Sequence, residues 1–219
     1  MTKEDFLEIS QCISIEFKNI PKIWDGKKAI LEMKDANFPQ WKQMEWIGWY
    51  FQFLCERLLK DKVKIPGPKY GNVHFDGFKV IPWDFKAHAI NTSSHHLIVN
   101  DSEAVSNAIK EFGCVGLIVA LGEVEYNDSY KTFQKWHEEL KGGKSDYEIE
   151  RIKRGAWSRL RKVKFYLKQI SFIKIDDAVL VKSGSFQRNF RNANGSLRRE
   201  KVLLNLEKLD EEIIFFLEF

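Results

Sequence analysis

The chain has 219 residues, of which 44% are hydrophobic and 14% aromatic, and this composition excludes a disordered chain. No apolar run reaches the roughly 18 residues of a transmembrane helix, and the first residues lack the apolar segment of a signal peptide. We therefore expect a cytoplasmic protein with no membrane partner. The net charge of +4 is small, but it is unevenly distributed along the chain.

The first half of the chain predicts an alternation of helices and strands. The first 35 residues have a helical pattern that Pro21 interrupts. Asn37 and Pro39 then form a helix-start signal, and apolar residues at helical spacing predict a buried helix over residues 40–60. After the break at residues 64–68, patterning predicts three strands, a helix and a buried strand, over residues 72–78, 80–89, 95–100, 103–112 and 114–121.

The second half of the chain is basic. Residues 141–201 contain 17 basic and 6 acidic residues, a net charge of +11 that favours a polyanionic partner, although a solvated basic surface has the same composition. We predict helices over residues 132–140, 147–153 and 158–170, a short strand over 179–181 and a helical or mixed stretch over 197–219. Lys141-Gly142-Gly143-Lys144 reads as a flexible basic turn, because it lacks the spacing of a nucleotide-binding loop.

These elements predict one domain of the α/β class. A mixed central β-sheet is flanked by helices, and a basic helical and loop portion follows it. The catalytic core covers about residues 38–126, and the basic portion covers about residues 141–201. The cysteines Cys12, Cys55 and Cys114 are far apart and without zinc spacing, so we expect buried reduced thiols.

The chemistry is concentrated on one predicted strand. Asp84 and Lys86 are two residues apart, so a strand places both on the same face, and the alternating Trp83, Phe85 and Ala87 face the core. A hairpin would bring Asp76 beside Asp84. Two close carboxylates repel each other, and a divalent cation such as Mg²⁺ relieves that repulsion. The alternative is a surface ion pair on an edge strand.

These residues resemble the motif of the PD-(D/E)XK nuclease superfamily, which includes many type II restriction endonucleases. Asp76 matches the first acid, Asp84 the second acid and Lys86 the lysine, while Phe75 stands where the idealised motif has proline. The gap of seven residues between the two acids is short for the family. The resemblance implies an αβββαβ core, the order predicted above, with Asp76 and Asp84 as metal ligands.

The resemblance also implies a helper residue and a partner. A Glu or Gln on the first core helix often faces the site in this family, and Glu45, Gln52 and Glu56 are the candidates, the two glutamates being chemically stronger. The implied activity is Mg²⁺-dependent cleavage of double-stranded DNA at a specific sequence by a homodimer. Alternatives are a repair or structure-specific nuclease, an RNA-processing nuclease, and a non-catalytic DNA-binding module.

The basic portion supplies the candidate DNA contacts. A first group suits phosphate binding, and a polar loop rich in Gln, Arg and Asn suits the reading of base edges, although a simple surface loop has similar content. The predicted DNA-binding residues are Arg151, Arg154, Arg159, Arg161, Lys164, Gln187, Arg188, Asn189, Arg191 and Asn192. His88, close to Lys86, either touches a phosphate or is a hydrogen-bonded, partly buried histidine.

Overall fold

A computed structural model describes residues 1–127, 129–155, 160–188, 197–209 and 213–219, with all their side chains except those of Tyr147 and Arg151. Three helices precede the main strands. The first begins with a capping box between Thr2 and Asp5, and the second begins where Asp25 accepts hydrogen bonds from Lys27 and Lys28. Their bounds are α1 Lys3–Ser14, α2 Gly26–Asp35 and α3 Trp46–Leu59.

The central sheet has six strands in the order β1-β8-β7-β5-β4, and β11 also pairs with β8. β5 and β7 are parallel, whereas the other pairs are antiparallel, so the sheet is mixed. The strands are β1 Ile23–Asp25, β4 Gly77–Lys79, β5 Ile81–Ala89, β7 Val115–Tyr126, β8 Lys162–Ile175 and β11 Ile213–Glu218.

Two smaller sheets accompany the central one. Their strands are β2 Lys69–Tyr70 paired with β3 Val73–His74, and β6 His96–Asp101, β10 Lys201–Asn205 and β9 Gly184–Gln187 in that spatial order. The remaining helices are α4 Ser102–Phe112, α5 Thr132–Lys141, α6 Asp146–Lys153 and α7 Asp177–Ser183. Among the described residues, none of these helices combines the length and the apolar content that a bilayer crossing needs.

The central sheet separates two hydrophobic cores. On one face, α1, α2 and α3 cover a core that contains Trp24, Trp83 and Phe172. On the other face, α4, α7 and the sheet of β6, β10 and β9 cover a second core with Val99 and Leu117. The predicted α/β class, with a mixed central sheet flanked by helices, is confirmed.

The details of the predicted core order need three corrections. The predicted helix over 40–60 starts later, because a 3₁₀ turn occupies Pro39–Lys42 before α3. The predicted strand over 72–78 is divided between β3 and β4. The third predicted strand exists as β6, but it lies in the second sheet because it pairs with β10 rather than with β5.

The predicted basic helix over 158–170 is wrong in its described part, where residues 162–175 form β8. Val163, Phe165 and Leu167 alternate with lysines and Tyr166, and this period of two suits a strand, while the density of lysine and arginine suggested a helix. The predicted strand over 179–181 is also wrong, because Asp176 caps a helix there through Val179. The predicted helical and loop character of the basic portion is therefore only partly correct, since β8, β9 and β10 are strands.

Candidate active site

The short length of β4 creates the site. β4 pairs with β5 only through Gly77–Lys79 opposite Ile81–Trp83. Beyond this pairing, the backbone N–H of Phe85 on β5 bonds to a side chain instead of a strand. It donates a hydrogen bond of 2.7 Å to Oδ2 of Asp76, the residue just before β4. This contact fixes the first predicted acid beside the second one, and it brings the predicted trio of Asp76, Asp84 and Lys86 together.

Asp84 and Lys86 lie on the same face of β5, as their spacing predicts. The Asp84 side chain is only 1% exposed, and Lys86 Nζ lies 3.6 Å from its Oδ2. Asn100 on β6 donates a hydrogen bond of 3.3 Å to Oδ1. Asp84 Oδ2 has no hydrogen-bond partner among the described residues, so this buried oxygen is available to a ligand.

Burial dominates the electrostatics of the two acids. The pKa of Asp84 rises to about 7. Burial is the main cause and the nearby Asp76 adds to it, while the Lys86 charge opposes them. Burial also raises the pKa of Asp76, while Lys86 and the Phe85 amide oppose this shift. Burial by itself lowers the pKa of Lys86, but the two carboxylates outweigh it and the pKa rises, so Lys86 stays protonated at neutral pH.

The trio lines a cavity of about 540 Å³ that opens along β5, between α3 and the sheet of β6, β10 and β9. Its walls combine the acids and Lys86 with amides, imidazoles and further lysines. The polar residues added from other elements include Gln52, His74, His96, Asn100, Lys162 and Lys201. A cavity with two buried carboxylates, cationic walls and one open side accommodates an anionic substrate together with a cation.

The predicted helper glutamates have different positions. Glu45 lies at the N-terminus of α3, lines the cavity and pairs with Lys162 at 3.4 Å. Glu56 does not line the cavity; its Oε1 accepts a hydrogen bond of 3.0 Å from Gln52, which does line it. Burial raises the pKa of Glu56, and the charge of Asp76 adds to this effect, so Glu56 lies electrostatically close to the site. The geometry favours Glu45 for direct contact and Glu56 for orienting Gln52.

Two residues of the cavity were missed by the sequence analysis. The sequence predicts Asn100 only as the last residue of the strand over residues 95–100, although its side chain contacts Asp84. Lys201 lies on β10, and its place in the cavity depends on the pairing of β10 with β6, which brings Lys201 opposite Asp101. No local pattern marks Lys201, because 115 residues separate it from Lys86 in the chain.

The histidine beside the trio has a bonded ring. His88 lines the cavity, and its Nε2 lies 2.9 Å from the Ser94 carbonyl oxygen. Burial lowers its pKa, which favours the neutral ring. His88 is thus hydrogen-bonded and also borders the cavity, so a hydrogen-bonded, partly buried ring and a contact with a phosphate are compatible roles.

The predicted DNA-binding residues divide into three groups. Arg159, Asn189, Arg191 and Asn192 lie outside the described residues, and the Arg151 side chain is not described. Arg161 is 11% exposed and pairs with Glu148 at 3.2 Å, so little of its side chain reaches solvent. The others are on the surface. Arg154 bonds to the Glu150 carbonyl, Lys164 pairs with Glu125, Arg188 pairs with Glu200, and Gln187 ends β9.

No protein-family model and no curated protein matches the chain. Among solved structures, the chain is similar to the restriction endonuclease BglI bound to its DNA recognition sequence. The TM-score is 0.44 and the sequence identity 10%, over 98% of this chain and 88% of that chain.

Proposed function

We propose that this protein is a Mg²⁺-dependent endonuclease that hydrolyses phosphodiester bonds in double-stranded DNA at a specific sequence. One observation carries the proposal: Asp76, Asp84 and Lys86 converge on one open cavity, and the buried Oδ2 of Asp84 lacks a hydrogen-bond donor in the described part of the chain. The Lys86 ammonium lies 3.6 Å from this oxygen but does not hydrogen-bond to it, and a buried carboxylate oxygen without a hydrogen bond is costly, so a structural role alone does not account for the pair.

The donor set fits a magnesium ion. Asp76 and Asp84 provide oxygen ligands, and no group of three or more His, Cys, Asp or Glu residues with metal-binding geometry exists among the described residues. A site with two carboxylates leaves the other positions to water and to phosphate oxygens, which is the usual arrangement for Mg²⁺. When bound, the ion neutralises the charge that develops on the attacked phosphate.

Lys86 and Glu45 complete the proposed chemistry. In hydrolysis, a water oxygen bonds to phosphorus and gives up a proton, while the bond from phosphorus to one sugar oxygen breaks and that oxygen takes up a proton. The protonated Lys86, 3.6 Å from Asp84, donates hydrogen bonds that orient the attacking water and stabilise negative charge on the phosphate. Glu45 at the cavity rim accepts a hydrogen bond from that water, and Lys162 holds Glu45 in place.

The choice of double-stranded DNA rests on charge and on the predicted family. The basic portion and the cationic cavity wall favour a polyanion. The polar loop that includes Gln187 and Arg188 supplies side chains able to read base edges. A homodimer would match a palindromic recognition sequence by its two-fold symmetry.

Cleavage of plasmid DNA tests this function. We expect the protein to produce discrete fragments with Mg²⁺ and none with EDTA. We expect Lys86→Met to slow cleavage by about 100-fold or more, and Asp84→Asn to abolish it. Lys18→Met, which removes the same charge from an exposed position on another surface, is the matched control and should cut normally.

The fragment pattern separates the alternatives. A smear, or cutting confined to branched or damaged substrates, would replace sequence specificity with the repair alternative. If the wild-type protein cuts neither DNA nor RNA with any divalent cation, while it still binds DNA, the nuclease proposal is wrong and the binding-module alternative holds.

A further inference from the structure

A second cavity lies beside the candidate active site. It has a volume of about 660 Å³ and is lined by four basic side chains, those of Lys42, Lys141, Lys144 and Arg198, with Glu45 as the one carboxylate in its described wall. The basic residues come from the 3₁₀ turn before α3, from the turn between α5 and α6, and from the segment before β10. We call it the basic cavity.

The basic cavity is contiguous with the active-site cavity. Glu45 and Trp49, both on or next to the first turn of α3, line both spaces. The two spaces are therefore neighbours, and a linear ligand long enough to span Glu45 and Trp49 would reach both. The Lys162–Glu45 ion pair lies at the same boundary, with Lys162 on the active-site side.

The turn from Lys141 to Lys144 leaves open space for a ligand. Gly142 and Gly143 have φ angles of 82° and 128°, which side chains disfavour, and a Cβ atom at either position would meet nothing within 4 Å. Both glycines line the cavity, so the backbone of this turn is accessible from it. The turn thus presents two lysines and bare backbone to the same space.

Four basic side chains and one carboxylate, that of Glu45, line the described wall of the cavity. Lys144 pairs with Glu138 at 2.8 Å. Burial lowers the pKa of Lys141, and the charges of Arg161 and Lys144 lower it further, although Glu148 and Glu138 oppose them. A bound anion would relieve this repulsion among the cations.

We propose that the basic cavity binds a backbone phosphate of the DNA strand whose scissile phosphodiester occupies the active-site cavity. The inference rests on the proposed function and extends it, because it assigns a phosphate contact to residues other than the predicted DNA-binding set. A phosphate fits the chemistry, since lysine and arginine side chains are usual phosphate donors. The N–H groups of Gly142 and Gly143 already donate to the Glu139 and Glu138 carbonyl oxygens, so the side chains of the cavity supply the contacts. The shared wall of Glu45 and Trp49 makes one continuous strand the occupant, rather than a separate small molecule.

The test measures DNA binding instead of cleavage. The affinity of the protein for a duplex is measured in Ca²⁺ by fluorescence anisotropy at several salt concentrations. The variant is Lys42→Met with Lys141→Met, and the single variant Lys42→Met changes an exposed residue with little risk to folding. The matched control is Lys18→Met with Lys110→Met, which removes two charges from exposed positions elsewhere. Urea denaturation confirms that each variant is folded.

We expect the plot of log affinity against log salt to lose about one to two units of slope in the double variant, and about half that loss in Lys42→Met, while the control keeps the wild-type slope. An equal slope in the double variant and the control would overturn the inference, whether or not the wild type cuts DNA. Slope loss in the double variant, together with a wild type that never cuts, would refute the nuclease proposal alone.

A further measurement distinguishes binding of a phosphate in a DNA strand from binding of free inorganic phosphate. Inorganic phosphate is titrated into the wild type and the double variant by calorimetry. If the double variant loses phosphate binding while its DNA salt slope is unchanged, the cavity takes free phosphate and the strand assignment is wrong. Loss of slope together with weak or absent binding of inorganic phosphate supports the assignment.

Discussion

Replacement of Gly116 by alanine tests how rigidly the strand that bears Asp84 is held. Gly116 on β7 is the register partner of Trp83 on β5. A Cβ atom at Gly116 would lie 2.3 Å, 2.5 Å and 2.7 Å from three atoms of the Trp83 ring. All three distances are well inside van der Waals contact, so the ring or the strand has to move.

The Trp83 ring has little room to move. It is 0% exposed, and its centroid lies 5.2 Å from that of the Phe6 ring and 6.3 Å from that of the Phe172 ring. Its indole N–H also donates a hydrogen bond of 3.2 Å to the Lys79 carbonyl oxygen. Overpacking a core typically costs about 1–3 kcal/mol, and three simultaneous contacts with a fixed ring place Gly116→Ala at about 3 kcal/mol. That corresponds to roughly a hundredfold change in the folding equilibrium constant.

Gly48→Ala is the matched control, because the same methyl group is added to the interior of α3, where a Cβ atom meets nothing within 4 Å. It should stabilise the protein by about 0.5–1 kcal/mol. Urea denaturation followed by circular dichroism measures both variants. If the free energy of unfolding of Gly116→Ala is within about 0.5 kcal/mol of the wild-type value, the strand that bears Asp84 is not held rigidly against Gly116. If it is destabilised as expected, cleavage should also slow, by about 10- to 100-fold, because Asp84 adjoins Trp83.

Two further predictions concern charged residues outside the trio. Arg161→Met should cost about 3 kcal/mol in urea denaturation, because it removes the guanidinium that pairs with the nearly buried Glu148, whereas Lys164→Met on the surface should cost under about 1 kcal/mol; equal costs would contradict a stabilising role for the pair of Arg161 and Glu148. Burial lowers the pKa of His137 from 6.5 to about 4, so the unfolded chain takes up a proton first as the pH falls. Relative to His137→Gln, the wild type should therefore lose about 3 kcal/mol of stability between pH 7 and pH 4, and parallel stability curves for the two proteins would contradict this.

The local patterns predicted those parts of the fold that depend on near neighbours. The two-residue spacing of Asp84 and Lys86 predicted their common face, because alternation along a strand is a property of the backbone itself. The ends of α4 depend on equally local signals. The Asp101 side chain caps its first turn, and Gly113 ends it in the left-handed conformation. The trio in the site follows from such short-range signals, including the close approach of Asp76.

The parts that could not be predicted depend on pairing between distant segments. Lys164 and Lys168 belong to β8 and face Glu125 and Glu123 on β7, so their charges are balanced across strands rather than along a helix. Without knowledge of the partner strand, the same run of lysines is compatible with a helix and with a strand. The partner of Arg161 could not be predicted for the same reason, because Glu148 becomes its neighbour only through the packing of α6.

The candidate site draws on two sheets, and this has a consequence during synthesis of the chain. Asp84 and Lys86 leave the ribosome well before Lys201, whose strand β10 lies between β6 and β9 and supports the Asn100 side of the cavity. A nascent chain that ends before β10 has the acids and the lysine of the trio but only part of the cavity wall. Assembly of the complete cavity is therefore delayed until β10 has been translated, so a nascent chain that ends before β10 presents only part of the candidate site.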